Sequence, residues 1–381
     1  MSTDGFESKA EENMGSDRPG KVAILGGGIA GLAFALRYRQ LGGQVSIHER
    51  ALPRKSEGLG FIVQGNGLRA LAQVGRREAV ESRAYRLSGC CVRDHLGHTL
   101  IEEDLSAAKG ISRSALLEAL RETLPSECIQ YGRRFSHFEY ASRGHARRAV
   151  FENGEKVETD LFLGCDGGQS RVRAQIFPDA APAPARVREI VSVVKSDFLV
   201  ARNARRLNKI RHSGGGLALG MVPASSDRLI WFLQFDAERY RLSKTDPQSL
   251  ENFVRSLTRE WAGDAGLLSA ATDFQHSWVC EASYLEPLEA YFHQNIALLG
   301  DAAHALPSFT SQGVSTAIED AVVLAEALAS DQHTSLHAAL SAYSETRKRA
   351  LHPLLEQGKR LQEEFLDPPH AGQQIPLAGS G

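Results

Sequence analysis

The stretch KVAILGGGIAGLAFALRYRQLGGQVSIHER, residues 21–50, constrains this chain more than any other. A short apolar run, Val22 to Leu25, gives way to apolar residues at helical spacing (Ile29, Leu32, Ala33, Leu36) and then to a second short run, Val45 to His48. That change of period predicts a βαβ unit, and with it a parallel sheet. Gly26, Gly28 and Gly31 form G-x-G-x-x-G at the first strand-to-helix turn, and Glu49 stands at the end of the second strand. Gly26 permits the tight turn, Gly28 lets backbone amides approach a pyrophosphate, Gly31 allows close helix-strand packing, and Glu49 accepts ribose hydroxyls. A carboxylate there disfavours a 2′-phosphate, so the expected tightly held ligand is NAD or FAD rather than NADP.

A chain of 381 residues suits one large domain or two intimately joined ones. The net charge of −2 and the lack of a basic block argue against nucleic acid as a partner. Five cysteines include the adjacent Cys90 and Cys91 but no C-x-x-C pair, so no metal site is expected and a reducing cytoplasm fits. No run approaches the ~18 apolar residues of a membrane span, and residues 1–20 and 368–381 read as disordered tails.

Further along, GISRSALLEALRETLP predicts a helix opening at Ser112 and closing by Pro125. Arg113 falls in its first turn, where a cation opposes the helix dipole; it is either solvated or turned toward an anion. Leu161 to Gly164 reads as a buried strand, followed by a turn at Asp166-Gly167 and a helix beginning at Ser170. Between about 180 and 278, segments such as EIVSVVKSDFLV and RLIWFLQF predict a mainly antiparallel sheet inserted into the α/β domain. Gly214 to Gly220 has neither the strand nor the spacing of a second dinucleotide turn. In NIALLGD, Asp301 follows an apolar strand, where a carboxylate is costly without a hydrogen-bonding partner, a ligand being the candidate. From about Gln312, Val314, Ala317, Ile318, Ala321, Leu324, Ala325 and Leu328 form the apolar face of a core helix. The stretch LSAYSETRKRALHPLLEQGKRLQEEF predicts a charged surface helix bent at Pro353.

Three strand ends, at 26–31, 166–167 and 300–301, bracket the inserted sheet. The set resembles the class A FAD-dependent aromatic hydroxylases, single-component flavoprotein monooxygenases with the p-hydroxybenzoate hydroxylase fold. These carry G-x-G-x-x-G, then G-x-D-G-x-x-S-x-V-R, then G-D-A-A-H with Q-G further on. The second is matched by Gly164, Asp166, Gly167, Ser170, Val172 and Arg173, the third by Gly300, Asp301, Ala302, Ala303 and His304 with Gln312-Gly313. The resemblance runs from about residue 20 to 350.

It implies a Rossmann-like FAD-binding domain (21–84, 105–179 and 279–335), a substrate domain (85–104 and 180–278) and a C-terminal helix (336–367). Asp301, after Gly300, is expected to hydrogen-bond the FAD ribityl chain. The helix opening at Gln312-Gly313 faces the pyrimidine edge of the ring, Arg113 reaches the flavin side, and Asp166 serves FAD and nicotinamide binding. Glu49 and Arg50 complete the cofactor set. The implied chemistry is monooxygenation: NADH or NADPH reduces FAD, O2 adds at flavin C4a, and the hydroperoxide hydroxylates an aromatic, phenolic or polyketide-like small molecule. Water must be kept out. A monomer or homodimer is expected.

Two positions depart from the pattern: Ser308 stands where the family usually has proline, and Ser311 where it often has glycine. No catalytic base is visible. His212, Arg228, Phe232 and Gln234 are either pocket residues or ordinary sheet residues, and His304 is expected to be a structural hydrogen-bonder. Phe309 is expected to shield the substrate side of the flavin. The alternatives are a flavin-dependent halogenase, although Trp231, Trp261 and Trp278 lack that branch's W-x-W-x-I-P context, and a non-enzymatic flavin-binding sensor.

Overall fold

The computed structural model describes residues 19–52, 60–105, 107–141 and 144–368. The expected tails fall outside these, apart from Pro19, Gly20 and Pro368.

Strand Lys21–Leu25 is apolar on both faces and lies at the centre of a six-stranded sheet, as a strand covered from both sides should. The order is Phe292–His293, Ile296–Leu298, Leu161–Gly164, Lys21–Leu25, Gln44–Glu49 and Ile129–Tyr131, all pairs parallel except the first. In register, Leu25 stands beside Gly164 and Gly164 beside Leu298. The three motif strands are therefore neighbours, and their carboxyl ends share one edge. Helix Ile29–Gln40 packs against helix Gly313–Ala329. On its other side the helix lies close against strand Lys21–Leu25, which Gly31 makes possible: a Cβ there would lie 2.2 Å from the Gly26 carbonyl oxygen and 2.9 Å from Ile24 Cγ2. Gly26 itself has φ +122, a conformation that a side chain resists.

The second sheet has seven strands: Trp278–Glu281, Val187–Lys195, Arg228–Asp236, Leu217–Pro223, Arg206–Arg211, Gly89–Asp94 and Thr99–Asp104. It is antiparallel except where Arg206–Arg211 runs parallel to Gly89–Asp94. Alternation sorts its residues. Leu229, Trp231, Leu233 and Phe235 enter a core with Leu250 and Val254 of helix Pro247–Thr258, while Ile230, Phe232 and Gln234 face a cavity. Trp278–Glu281 crosses the boundary expected at 278, and Tyr85–Arg86 pairs with Lys109–Ser112 in a small sheet instead of joining the large one.

Helix Leu336–Leu366 is unbroken across Pro353. It is less of a surface element than its charge suggests. Leu340, Tyr343, Leu351, Leu355 and Phe365 are buried along one face, and Arg347 is buried with them.

Candidate cofactor and substrate site

A cavity of about 730 Å³ runs from the carboxyl ends of the six-stranded sheet to the inner face of the seven-stranded one. Gly26, Gly28, Glu49 and Arg50 line it at the glycine turn. Arg113, Asp166, Gly300, Asp301, Gln312 and Gly313 line its middle, and Phe232 and Gln234 its far wall. Gly31 lies behind the turn, packed on the strand.

At the glycine turn, Glu49 is held by two backbone amides: Gly27 N donates to Oε2 and Ala51 N to Oε1, each at 2.7 Å. Arg133 and Arg134 line the same end. Sequence reading passed over them because only the sheet order brings Ile129–Tyr131, and the arginines after it, beside Gln44–Glu49. His48 is buried there, with Arg133 Nη1 3.4 Å from Nδ1. Burial first, then the charges of Arg133 and Lys21, lowers its pKa to about 3, so the imidazole is neutral.

In the middle, Gly300 has φ +60 and its N–H donates to Asp320 Oδ2 at 2.8 Å. The same oxygen lies 2.5 Å from His304 Nε2, and Oδ1 accepts from Arg347 Nε at 2.7 Å. Burial opposes ionisation of Asp320, but His304 and Arg347 outweigh it and hold its pKa at about 2. His304 thus serves as a structural hydrogen-bonder. The signal for Asp320 was present: an acid in the middle of an otherwise apolar helical face. Arg347 gave none, since it sits in a helix rich in charge.

With Asp320 holding the turn, the neighbouring Asp301 is left free. Its side chain opens on the cavity, and among the described residues no donor engages its carboxylate. Its depth in the molecule pushes its pKa above the ordinary carboxylate value, with His304 and Arg113 acting the other way. Helix Gly313–Ala329 opens beside it with no side-chain cap, and a Cβ on Gly313 would lie 3.8 Å from Asp301 Oδ1. Helix Ile29–Gln40 likewise has no side-chain cap at Gly28, where a Cβ would meet nothing closer than 4.0 Å. Two uncapped helix starts therefore open on one cavity, a setting for phosphate and other electron-rich acceptors. Gln312 is buried, its Nε2 donating to Gln64 Oε1 at 2.7 Å.

Asp166 is engaged differently. Its Oδ1 accepts from Ser170 Oγ at 2.5 Å and its Oδ2 from Arg171 N at 2.7 Å, so it helps to cap helix Arg171–Ile176. The buried Arg173 then ties this turn to the Asp301 turn, donating to Gly168 O at 2.6 Å and Ala302 O at 3.1 Å. Arg113 makes no hydrogen bond to protein among the described residues and faces the cavity from a helix that Ser112 caps.

At the far wall the expectations divide. Phe232 and Gln234 face the cavity. His212 does not: it lies past the end of strand Arg206–Arg211, its ring 4.4 Å from that of His95. Arg228 begins its strand opposite Lys195, away from the cavity wall. The shielding role expected of Phe309 is also corrected. In the tight turn Ser308–Thr310, Ser308 faces the cavity while Phe309 packs on Phe365, ring centres 5.3 Å apart, in a cluster with Val187, Ala218 and Ala282.

A parallel sheet with a glycine-rich turn, joined by one cavity to an antiparallel sheet, defines a nucleotide-cofactor-binding protein of the two-sheet kind. The chain belongs to the FAD binding domain family, whose model matches residues 20–357, and it is an FAD-dependent monooxygenase. A FAD-dependent urate hydroxylase of Mycolicibacterium vanbaalenii is 27% identical over 353 residues, covering 89% of this chain and 87% of the relative. The aurachin C monooxygenase/isomerase of Stigmatella aurantiaca is 26% identical, over 86% and 84%. Among solved structures, Klebsiella pneumoniae HpxO complexed with FAD and uric acid shares the fold with a TM-score of 0.81 at 23% identity, covering 91% of this chain and 88% of that one. The 2,6-dihydroxypyridine-3-hydroxylase of Arthrobacter nicotinovorans gives 0.81 at 19% identity, over 96% and 98%.

The residues present fit FAD. The two uncapped helix starts supply amide donors for the pyrophosphate and the ring edge, and the unpartnered Asp301 carboxylate can accept from a ribityl hydroxyl. No helix among the described residues is long and apolar enough to cross a membrane.

Proposed function

We propose that this protein consumes NADH or NADPH and O2 to hydroxylate an aromatic, phenolic or polyketide-like small molecule held against the inner face of the seven-stranded sheet. The continuity of the cavity supports this reading most directly: it joins the glycine turn and Glu49 to a wall of Val191, Val222, Ile230 and Phe232. Bound FAD supplies two-electron exchange with a nicotinamide and the activation of dioxygen.

On this reading, Gly26, Gly28 and Glu49, with Arg50 beside them, hold the adenosine and pyrophosphate portion, and Asp301 and Arg113 hold the middle of the cofactor. Gln312 and Gly313 present the positive end of their helix to the ring. Asp166 acts through the turn that it caps. The apolar wall excludes water from the reacting ring. The same reading divides the chain into an FAD-binding unit and a substrate unit built on the seven-stranded sheet. We further infer a cytoplasmic protein that acts as a monomer or homodimer.

The test is a substrate screen. Purified protein loaded with FAD is scanned for small aromatic and polyketide-like compounds that accelerate NAD(P)H oxidation, and hydroxylated product is measured against NAD(P)H consumed. A stoichiometry near one is the expected outcome for the physiological substrate. Failure of FAD to bind the refolded protein would sink the reading.

A further inference from the structure

The apolar wall of the cavity contains one polar assembly that the reading above does not use. Glu189 stands on the inner sheet face, in the strand second from the edge, paired across the strands with Gln234 on one side and Cys280 on the other. Its Oε1 accepts from Gln234 Nε2 at 2.7 Å and from Ser308 Oγ at 2.5 Å. Among the described residues no protein donor engages Oε2.

The pose of that carboxylate is set from behind. Lys209 Nζ donates to Gln234 Oε1 at 2.6 Å, which fixes the amide with its NH2 toward Glu189. The Lys209 ammonium lies 5.3 Å from the ring centre of Phe309, 5.9 Å from that of Phe365 and 6.0 Å from that of Phe232. Burial lowers its pKa to about 8. A cation among rings and a carboxylate on an apolar wall are both costly unless hydrogen-bonded, and here one amide serves both. Ser308 now has a reason to differ from the resembled family: a proline at that position could not donate to Glu189.

Two protein donors thus converge on one oxygen of a side chain that lines the cavity, and the other oxygen has no protein donor among the described residues. We propose that Glu189 Oε2 accepts a hydrogen bond from a ring O–H or N–H of the substrate, so that this enzyme selects aromatic rings bearing such a donor over their O- or N-alkylated counterparts. The inference rests on the monooxygenase reading and names the substrate class for it.

The experiment uses FAD-loaded protein and two probe pairs: 2-naphthol with 2-methoxynaphthalene, and quinolin-4(1H)-one with its N-methyl derivative. Dissociation constants are read from calorimetry and from the perturbation of flavin absorbance. In the wild type, the donor member of at least one pair binds about tenfold tighter or more, as one hydrogen bond to a charged acceptor provides. Glu189→Gln keeps Oε1 for Gln234 and Ser308 but puts an N–H donor in the place of Oε2, so the preference vanishes or reverses. Ser308→Ala, which removes one of the two donors that fix the pose of the carboxylate, weakens the preference without abolishing it. Equal binding within both pairs, no binding by any probe, or a preference that survives Glu189→Gln overturns the assignment and leaves Glu189 as an anchor for the 308 turn. FAD content is measured in the same samples. A wild type that holds no FAD breaks the flavoenzyme reading, whereas retained FAD without donor preference overturns the Glu189 assignment alone.

Discussion

The six-stranded and seven-stranded sheets hold their polar groups in opposite ways. In the parallel sheet they gather past the strand ends, at Gly26, Asp166 and Gly300, and much of what they offer is backbone: uncapped helix amides and tight turns. In the antiparallel sheet the polar groups sit within strands at alternating positions, and what they offer is side chain: Glu189, Gln234 and Lys209. A ligand fixed in chemistry can be met by backbone, which any compatible sequence supplies once the turns are right. A ligand that differs from one enzyme to the next must be met by side chains. On the proposed function, the first sheet is a socket for a constant partner and the second a reader of a variable one.

If that contrast holds, lesions on the two sides differ in kind as well as size. The largest effect is expected from Asp320→Asn. It removes the buried countercharge of Arg347 and leaves one acceptor oxygen where Gly300 N–H and Arg347 Nε each had their own, and breaking a buried pair from one side costs about 3–5 kcal/mol. Urea unfolding of the apoprotein should show the loss, and FAD titration should show weakened binding as the turn loosens. Full FAD affinity in a variant destabilised to that extent would separate the anchor from the socket and break the comparison.

A smaller, purely structural effect is expected from Phe309→Ala. The ring is half-buried against Phe365, so truncation should cost less than the usual core phenylalanine, about 2–3 kcal/mol, by the same unfolding measurement. FAD affinity should be unchanged. A normal melting curve with more NAD(P)H diverted to hydrogen peroxide would restore the shielding role that the structure takes from this residue.

The smallest effect belongs to Asp301→Asn. Losing the charged acceptor should weaken FAD by about 1–3 kcal/mol, seen in equilibrium titration. The folded-state pKa of Asp301 lies above its unfolded value. Its contribution to apoprotein stability is therefore full below the unfolded value, about 3.9, and is lost as pH rises through the folded one. Apo Asp301→Asn should accordingly lose less stability than apo wild type across that rise, while FAD should narrow the difference by giving the ionised carboxylate its donor. A steeper decline in the variant would contradict the assignment.

The contrast between the sheets also explains what could be read from the sequence. The glycine turn, Glu49 and the Gly300-Asp301 turn are contiguous signals, in which neighbouring residues determine one another's conformation. The sheet order that places Arg133 next to His48, and the cross-strand pair Glu189–Gln234, depend on residues tens of positions apart. Phe309 was misplaced for a related reason. A loop that must pass the cofactor need not point every side chain at it, and in a tight turn adjacent residues diverge. Ser311 is intermediate: its φ of +52 accounts for the glycine often found at this position in the resembled family, but only the backbone reveals the conformation.

The tie between Arg347, Asp320 and Gly300 also sets a schedule for biosynthesis. The ribosome delivers the glycine turn early, then the whole antiparallel sheet, then the Gly300 turn, and only 47 residues later the arginine that locks Asp320 in place. A nascent chain carrying the first βαβ unit presents amides for a pyrophosphate but no carboxylate for the ribityl chain and no anchored turn to hold one. On the proposed assignment of Asp301, full cofactor capture then waits until the last long helix has emerged and docked. A chain stalled before residue 347 would display both sheets to chaperones and proteases with the vitamin-derived half of its ligand still unclaimed.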